Sequence, residues 1–302
     1  HLFKQMSKSK RALVLSAGSA KGAYQVGVLR KWLYEDEQDY NILCGVSVGA
    51  INVLQLGLTE FGKPKQSYEL LYNKWKNVSK HNIYRDWEPF GKISAFWKHA
   101  VYDCEPLHNL IKKDYDLNKI RKSKKQIRIG AVCLNDGKKY FASEKDDNLA
   151  DWCCASACVP ILMKPIKIND KFWIDGGIKV LTPIGQALAL GATEIDIISC
   201  SGTPMPDWTF SDGLWSLLSV AYRSYELMHE RIMKADFHAI GMYNNQFSII
   251  ERKKFDNVKI RIIKPREVLH DKVHVLDFNN KQVKKLIDLG YNDACKYSEN
   301  IK

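Results

Sequence analysis

One pentapeptide constrains this chain more than any other stretch. Gly45-Val46-Ser47-Val48-Gly49 lies between a short apolar run at residues 42–44 and a compact helix-like segment at 48–58. A serine with glycine two residues to either side suits a strand-to-helix turn so tight that no side chain fits beside the hydroxyl. Such a turn lifts the serine above a sheet edge and aims the positive end of the following helix at it. It also asks for a strand and a helix in immediate succession, and the neighbouring sequence repeats that order. Residues 12–15 form an apolar strand, and a helix starts near Gly22 with Val26, Leu29 and Leu33 on one face. Ile127, Ile129, Ala131 and Cys133 alternate as a strand does, and Asp136-Gly137 turns that strand into a hairpin with residues 139–141. Runs at 172–174, 195–199 and 260–263 supply further strands. The expectation is an α/β fold with a parallel-rich central sheet and helices on both faces, in a single domain over residues 6–302. Residues 1–5, ahead of Met6, read as an expression scar and are set aside.

Composition narrows the function. Apolar residues make up 45% of the 302 and charged residues 26%, enough of the former for a real core and against global disorder. No apolar run reaches the roughly 18 residues of a membrane span, and no signal-peptide core precedes the first strand. The eight cysteines form no CxxC pair and no metal-type spacing with histidine, so buried reduced thiols are expected, as in the cytoplasm. The formal net charge is +12. Lys119, Arg121, Lys122, Lys124, Lys125 and Arg128 form one basic cluster; Arg252, Lys253, Lys254, Lys259, Arg261, Lys264 and Arg266 form another. Either cluster is a solvated face or an attractor of polyanions. RNA-binding consensus segments and zinc-finger spacings are absent, which favours an anionic phospholipid membrane surface over nucleic acid as partner.

Two more elements carry chemistry. Ala17-Gly18-Ser19-Ala20-Lys21-Gly22 sits at another strand-to-helix junction, where backbone N–H groups can receive a developing oxyanion. It lacks the glycine and lysine order of a P-loop and the glycines of a dinucleotide fingerprint. Lys21 near a helix start either points into solvent or meets an anionic group such as a phosphate headgroup. Asp175-Gly176-Gly177 ends the aromatic strand Phe172-Trp173-Ile174 and is either an ordinary turn or a carboxylate released toward a neighbouring turn.

In this order the three elements resemble the patatin-like phospholipases. Cys154-Ala155-Ser156-Ala157-Cys158-Val159-Pro160 and Thr182-Pro183-Ile184 also look like that family, the similarity running over about residues 13–199, with 276–294 similar to its usual terminal segment. The resemblance implies a three-layer α/β/α fold and lipid acyl hydrolysis on a Ser–Asp dyad without metal or cofactor. Ser47 is then the nucleophile, Asp175 the base, and the N–H groups of Gly18, Ser19 and Ala20 the oxyanion hole. Where the family loop has consecutive glycines, Ala17 and Ser19 flank Gly18 here, and a positive φ at either carries a steric cost. An exposed aspartate is a poor base for serine, so Asp175 should be partly buried or contact Ser47 directly.

A histidine triad stays open through His229, His238, His270 or His274, which otherwise read as surface or capping residues. Residues 210–265 carry no assigned motif and stand as a lid or cap region. Within them Leu214, Trp215, Leu218, Tyr222, Tyr225 and residues 228–232 fall on one helical stripe, which either packs on the core or walls an acyl groove. Trp215, Tyr222 and Lys21 are the candidate substrate contacts. The competing functions are a thioesterase or small-ester hydrolase on the same site, and a catalytically weak module binding anionic membranes or a protein. Headgroup, ester position and any activator are not written in the sequence. The expected location is cytoplasmic, with peripheral membrane association.

Overall fold

The computed structural model describes residues 10–200, 216–245, 258–266 and 278–299. Eight strands form one sheet: β1 (Arg11–Leu15), β2 (Ile42–Val46), β3 (Gln126–Cys133), β4 (Lys139–Ala142), β5 (Ile166–Ile168), β6 (Lys171–Asp175), β7 (Glu194–Ile198) and β8 (Lys259–Ile263). Their order is β5-β6-β3-β2-β1-β7-β8, with β4 paired to β3 beside that path. From β3 to β8 neighbours run parallel, whereas β4, β5 and β6 join antiparallel. The parallel-rich sheet and the Asp136-Gly137 hairpin are as the sequence led us to expect. β5, three residues long, is too short to show an alternation and was not foreseen.

The helices are α1 (Gly22–Leu29), α2 (Val48–Leu56), α3 (Pro64–Lys76), α4 (Ala95–Lys98), α5 (Glu105–Lys113), α6 (Leu117–Lys122), α7 (Leu149–Ser156), α8 (Ile184–Ala189), α9 (Ser216–Asn245) and α10 (Asn280–Glu299). The two-residue period of the strands sorts them into layers. Leu13, Leu15 and Leu43 enter a large core with Tyr24 and Trp32 on one side and Trp75 and Leu107 further along it. Ala12, Val14, Ile42, Cys44, Ile195 and Ile197 point the other way, onto Ile184 and Ala187 of α8. The result is a mostly parallel sheet between two helical layers. α10 crosses α1 closely because two glycines face backbone there. A Cβ on Gly27 would stand 2.0 Å from the Ile287 carbonyl oxygen, and one on Gly290 would stand 2.1 Å from that of Tyr24.

The basic clusters look different in three dimensions. In the first, Arg121 pairs with Asp147, Lys124 with Glu60, Lys125 with Asp39 and Arg128 with Glu144. Lys125 is fully inside the protein. In the second, Arg261 is held by Asp196 at 2.6 Å and lies 3.8 Å over the Trp32 ring, while Arg252, Lys253 and Lys254 fall outside the described residues. Much of the clustered charge therefore serves the fold, because acids distant in sequence meet it in space. No helix among the described residues is long and apolar enough to cross a membrane.

Candidate active site

β2 runs straight into Ser47, whose φ of 57° and ψ of −125° place a non-glycine residue in strained backbone at the start of α2. The flanking glycines are required by close approach. A Cβ on Gly45 would stand 2.3 Å from the Gly49 carbonyl oxygen, and one on Gly49 would stand 2.3 Å from that of Leu15. The turn is clamped from α7. The Ser156 hydroxyl donates to the Gly130 carbonyl at 2.6 Å and accepts the Ser47 N–H at 2.9 Å. Ser156 is wholly buried, so both backbone groups depend on it.

β3 brings the carboxylate to the serine. Residues 131 and 132 of β3 pair with both β4 and β6, and 129 and 130 with both β4 and β2. A strand has two edges, so β2 and β6 share the edge opposite β4, end to end. Gly130 pairs with Val46 and the next residue, Ala131, pairs with Asp175. Ser47 and Asp175, 128 positions apart in sequence, thus leave adjoining strand ends. The gap admits no side chain at residue 176, where a Cβ would lie 2.4 Å from the Gly130 oxygen. Asp175 is 1% exposed. Its carboxylate accepts the Gly177 N–H at 2.7 Å. Burial pushes it up to about 7, against the pull of the neighbouring Ser47 side chain and the Gly177 N–H.

The loop after β1 faces the same point. Gly18 precedes a short 3₁₀ turn, Ser19–Lys21, that leads into α1. Of the two departures from a glycine run, Ser19 takes the cost, with φ of 50°; Ala17 does not. Gly18 is needed for space, since a Cβ there would meet the Cys200 Cβ at 2.4 Å. The N–H groups of Gly18, Ser19 and Ala20 have no acceptor among the described residues, whereas those of Ala17 and Lys21 are taken by Leu181 and Gly18 carbonyls. Beneath the loop runs a buried polar chain. Trp75 Nε1 donates to Asn52, Asn52 to Gln25 and Gln25 to the Ser16 carbonyl, each at 2.8–2.9 Å. The sequence reading missed this chain and Ser156, because polar residues within helices look like surface positions.

Ser19 and Ser47 open onto a cavity of about 880 Å³, its mouth included. Its walls are largely apolar and come from α2, α3 and α5, with Val159, Met163 and Phe278. Such a lining suits a ligand that is apolar over most of its length. Of the candidate contacts from sequence, Trp215 lies outside the described residues, and Tyr222 is on α9 with its side chain outside them. Lys21 is half-buried, and no acidic partner stands against it among the described residues. α9 packs beside the site. Asp236 accepts the N–H groups of Leu181 and Thr182 at 3.0 Å, and Met233 joins Ala17, Val46 and Leu181 in a small core.

His229 corrects the reading of the histidines as surface groups. Its Nε2 is buried without a hydrogen-bond partner among the described residues, 3.2 Å from where a Gly177 Cβ would stand. Burial and the Lys21 charge push it down to about 4, so the ring is neutral near pH 7. It makes no hydrogen bond to Asp175. His238 is exposed, and His270 and His274 lie outside the described residues. A second correction concerns the cysteines. Cys104, just before α5, and His108, four residues on, meet Cys158 in space, an arrangement that needs the fold as well as the i, i+4 spacing.

A buried serine elbow, an adjoining carboxylate and open backbone donors on a three-layer α/β scaffold define a nucleophile-elbow protein with an apolar cavity. The patatin-like phospholipase family model matches residues 13–188, more than half of the chain, and the chain belongs to that family. Among curated relatives, calcium-independent phospholipase A2-gamma of Homo sapiens is 32% identical over 107 residues, covering 34% of this chain and 13% of that protein. The Oryctolagus cuniculus protein of the same name is 30% identical over 108 residues, with the same coverage. The chain therefore matches only a small part of these relatives' length. Among solved structures, VipD from Legionella pneumophila aligns with 97% of this chain and 67% of its own, at 15% identity and a TM-score of 0.46.

Proposed function

We propose that the chain is a serine lipid acyl hydrolase that releases fatty acids from phospholipid esters through an acyl-serine intermediate. The observation that carries this reading is a buried Asp175 set beside Ser47 on adjoining strand ends, with Ser47 lining a largely apolar cavity. Ser47 Oγ attacks the ester carbonyl, and Asp175 takes its proton. A carboxylate raised to about 7 is a far better base near neutral pH than an exposed one, so burial supplies what the dyad needs in place of histidine. The N–H groups of Gly18, Ser19 and Ala20, which meet no acceptor among the described residues, hold the oxyanion. The proton on Asp175 passes to the leaving alcohol. Water then attacks the acyl carbonyl and gives a proton to Asp175, and that proton returns to Ser47 Oγ as its bond to the acyl carbon breaks and the acid leaves. No step calls for a metal ion, in keeping with the name of the relatives.

The lipid surface meets the protein near the cavity in this reading. Phe90, Ile93 and Trp97 are 62%, 56% and 52% exposed, with Lys92 and Lys98 between and beside them. The segment that carries them leaves and rejoins the fold at the cavity. Ile83 lines it, and Tyr102 bonds to the Leu162 carbonyl next to Met163, which lines it too. Exposed aromatics interleaved with lysines suit the headgroup region of an anionic bilayer. This segment, more than the largely ion-paired 119–128 cluster, is the proposed membrane contact.

Product analysis on mixed phospholipid vesicles, wild type beside Ser47→Ala, tests the reading. We expect fatty acid release and fluorophosphonate labelling by wild type and neither by the variant. Equal turnover by Ser47→Ala would overturn it, and activity confined to acyl thioesters or short esters would move the substrate class.

A further inference from the structure

Behind the cavity wall, three soft donors meet on two helices. Cys104 caps the start of α5, His108 follows one turn later, and Cys158 lies just beyond the end of α7. Cys104 Sγ stands 3.5 Å from His108 Nε2, and Cys158 Sγ stands 3.8 Å from the same nitrogen. All three atoms lie within 4.8 Å of one another. Both thiols are buried, whereas the imidazole is half-buried and leaves one side of the group open.

These separations match the edges of a coordination tetrahedron. An ion about 2.3 Å from sulfur and about 2.0–2.1 Å from nitrogen spans sulfur–nitrogen edges of about 3.5 Å and a sulfur–sulfur edge of about 3.8 Å. The two sulfur–nitrogen distances are already there, and the sulfur–sulfur edge closes with a shift of at most about 1 Å. We propose that Cys104, His108 and Cys158 bind one Zn²⁺ ion, with water in the fourth position on the His108 side. Two thiolates and an imidazole are the donor set that favours a borderline-soft ion over Mg²⁺ or Ca²⁺. Without the ion, Cys158 Sγ rests 3.2 Å from the Cys154 carbonyl, and its thiol donates there. Binding breaks that contact, and both thiols give up their protons to solvent as the two Zn–S bonds form, with no redox change.

The ion adds a tie between parts otherwise joined by packing and by the Lys112–Asp151 ion pair of α5 and α7. α5 supplies Leu107, Leu110 and Ile111 to the cavity wall, and Val159 follows Cys158 into the same wall. The Cys158 carbonyl also accepts the Asp175 N–H at 3.0 Å. Zinc at this place is a clip between the acyl wall and the strand end that carries the carboxylate. It takes no part in the ester chemistry, and the inference does not depend on that chemistry being right.

The test is metal content of the whole chain purified without chelator from zinc-supplemented cells. We expect about one zinc per chain in wild type and in Ser47→Ala, and less than about a tenth of that in Cys104→Ser, Cys158→Ser and His108→Ala. Stripped wild type refilled with Co²⁺ should show thiolate-to-cobalt charge transfer and tetrahedral bands, both lost in His108→Ala. That variant alters a half-buried residue, so circular dichroism should show it folded. Zinc in wild type that the three variants leave unchanged would overturn the proposal. So would metal-free wild type that fails to take up Co²⁺ through thiolate, or a Cys104–Cys158 disulfide in the non-reduced protein. Zinc loading in a hydrolytically dead Ser47→Ala separates failure of this site from failure of the hydrolase reading.

Discussion

Asp175→Asn should inactivate the protein while stabilising it, and the stabilisation should depend on pH. The Asp175 side chain is closed off from solvent, and burial moves its carboxyl from an ordinary 3.8 to about 7. The folded state thus holds a proton more tightly than the unfolded chain. The resulting stability is fully present below pH 3.8 and is lost as pH rises through about 7. At 1.36 kcal/mol per pH unit, the loss approaches about 4 kcal/mol by pH 8. Asparagine imitates the neutral acid in shape and can still accept the Gly177 N–H that now bonds at 2.7 Å. The variant should therefore match wild type near pH 4 and exceed it by up to about 4 kcal/mol at pH 8. For a chain of this length that is a rise in Tm of about 6 °C. Ester turnover should fall by roughly two to four orders of magnitude, because the amide cannot take the Ser47 proton. Wild-type kcat/KM should climb with pH and level off above about 7. Calorimetry of both proteins across pH 4–8, beside an ester assay, reads all three quantities. A stability difference that does not change with pH would refute the buried, proton-holding carboxyl. Near-normal turnover by Asp175→Asn would refute its role as base.

Other expectations rest on single contacts. Ser156→Ala leaves the Ser47 N–H and the Gly130 carbonyl without their buried partner; urea unfolding should show a loss of about 2–4 kcal/mol, and turnover should fall with it. His229→Gln should stay within about tenfold of wild-type turnover, because a neutral ring with no hydrogen bond to Asp175 moves no proton; a fall as deep as that of Asp175→Asn would mean a triad. Phe90→Ser with Trp97→Ser should weaken sedimentation with anionic vesicles by at least about tenfold and leave hydrolysis of a soluble ester intact. Equal loss on both substrates would place those residues in the fold instead of at the membrane.

The parts of the site that were legible in sequence are those whose geometry is decided locally. Gly45, Gly49 and Gly176 are fixed by backbone approaching within 2.4 Å of where a side chain would be, so the elbow and the Asp-Gly-Gly turn show themselves in a handful of letters. What could not be read is decided by pairing across the sheet. Nothing near Ser156 says that its hydroxyl will bridge β3 and the elbow, and nothing near Lys125 says that Asp39 will neutralise it inside the protein. The aromatic stripe of α9 reads in sequence either as core packing or as an acyl wall. Among the described residues the cavity is lined mainly from α2, α3 and α5, whose apolar residues could equally have served as core. The same limit hid the Cys104–His108 pair, since its i, i+4 spacing means little until α7 delivers Cys158 to it.

β3 explains why so dispersed a site can be held accurately. One short stretch of its backbone pairs with β2, β4 and β6, closes on the Gly176 turn after β6 and accepts Ser156, so four chain segments refer their positions to Gly130 and Ala131. A hydroxyl must lie within hydrogen-bond reach of its base for proton transfer, and an error of about 1 Å is costly. Two loops tethered separately would not keep that tolerance. Two strand ends set in consecutive register against one strand do, because a slip at either would turn every side chain of that strand to the wrong face of a buried sheet. The strained φ of Ser47 is held by the same means. The sheet before it and α2 after it are each fixed by burial, and together they hold the turn between them in this strained conformation.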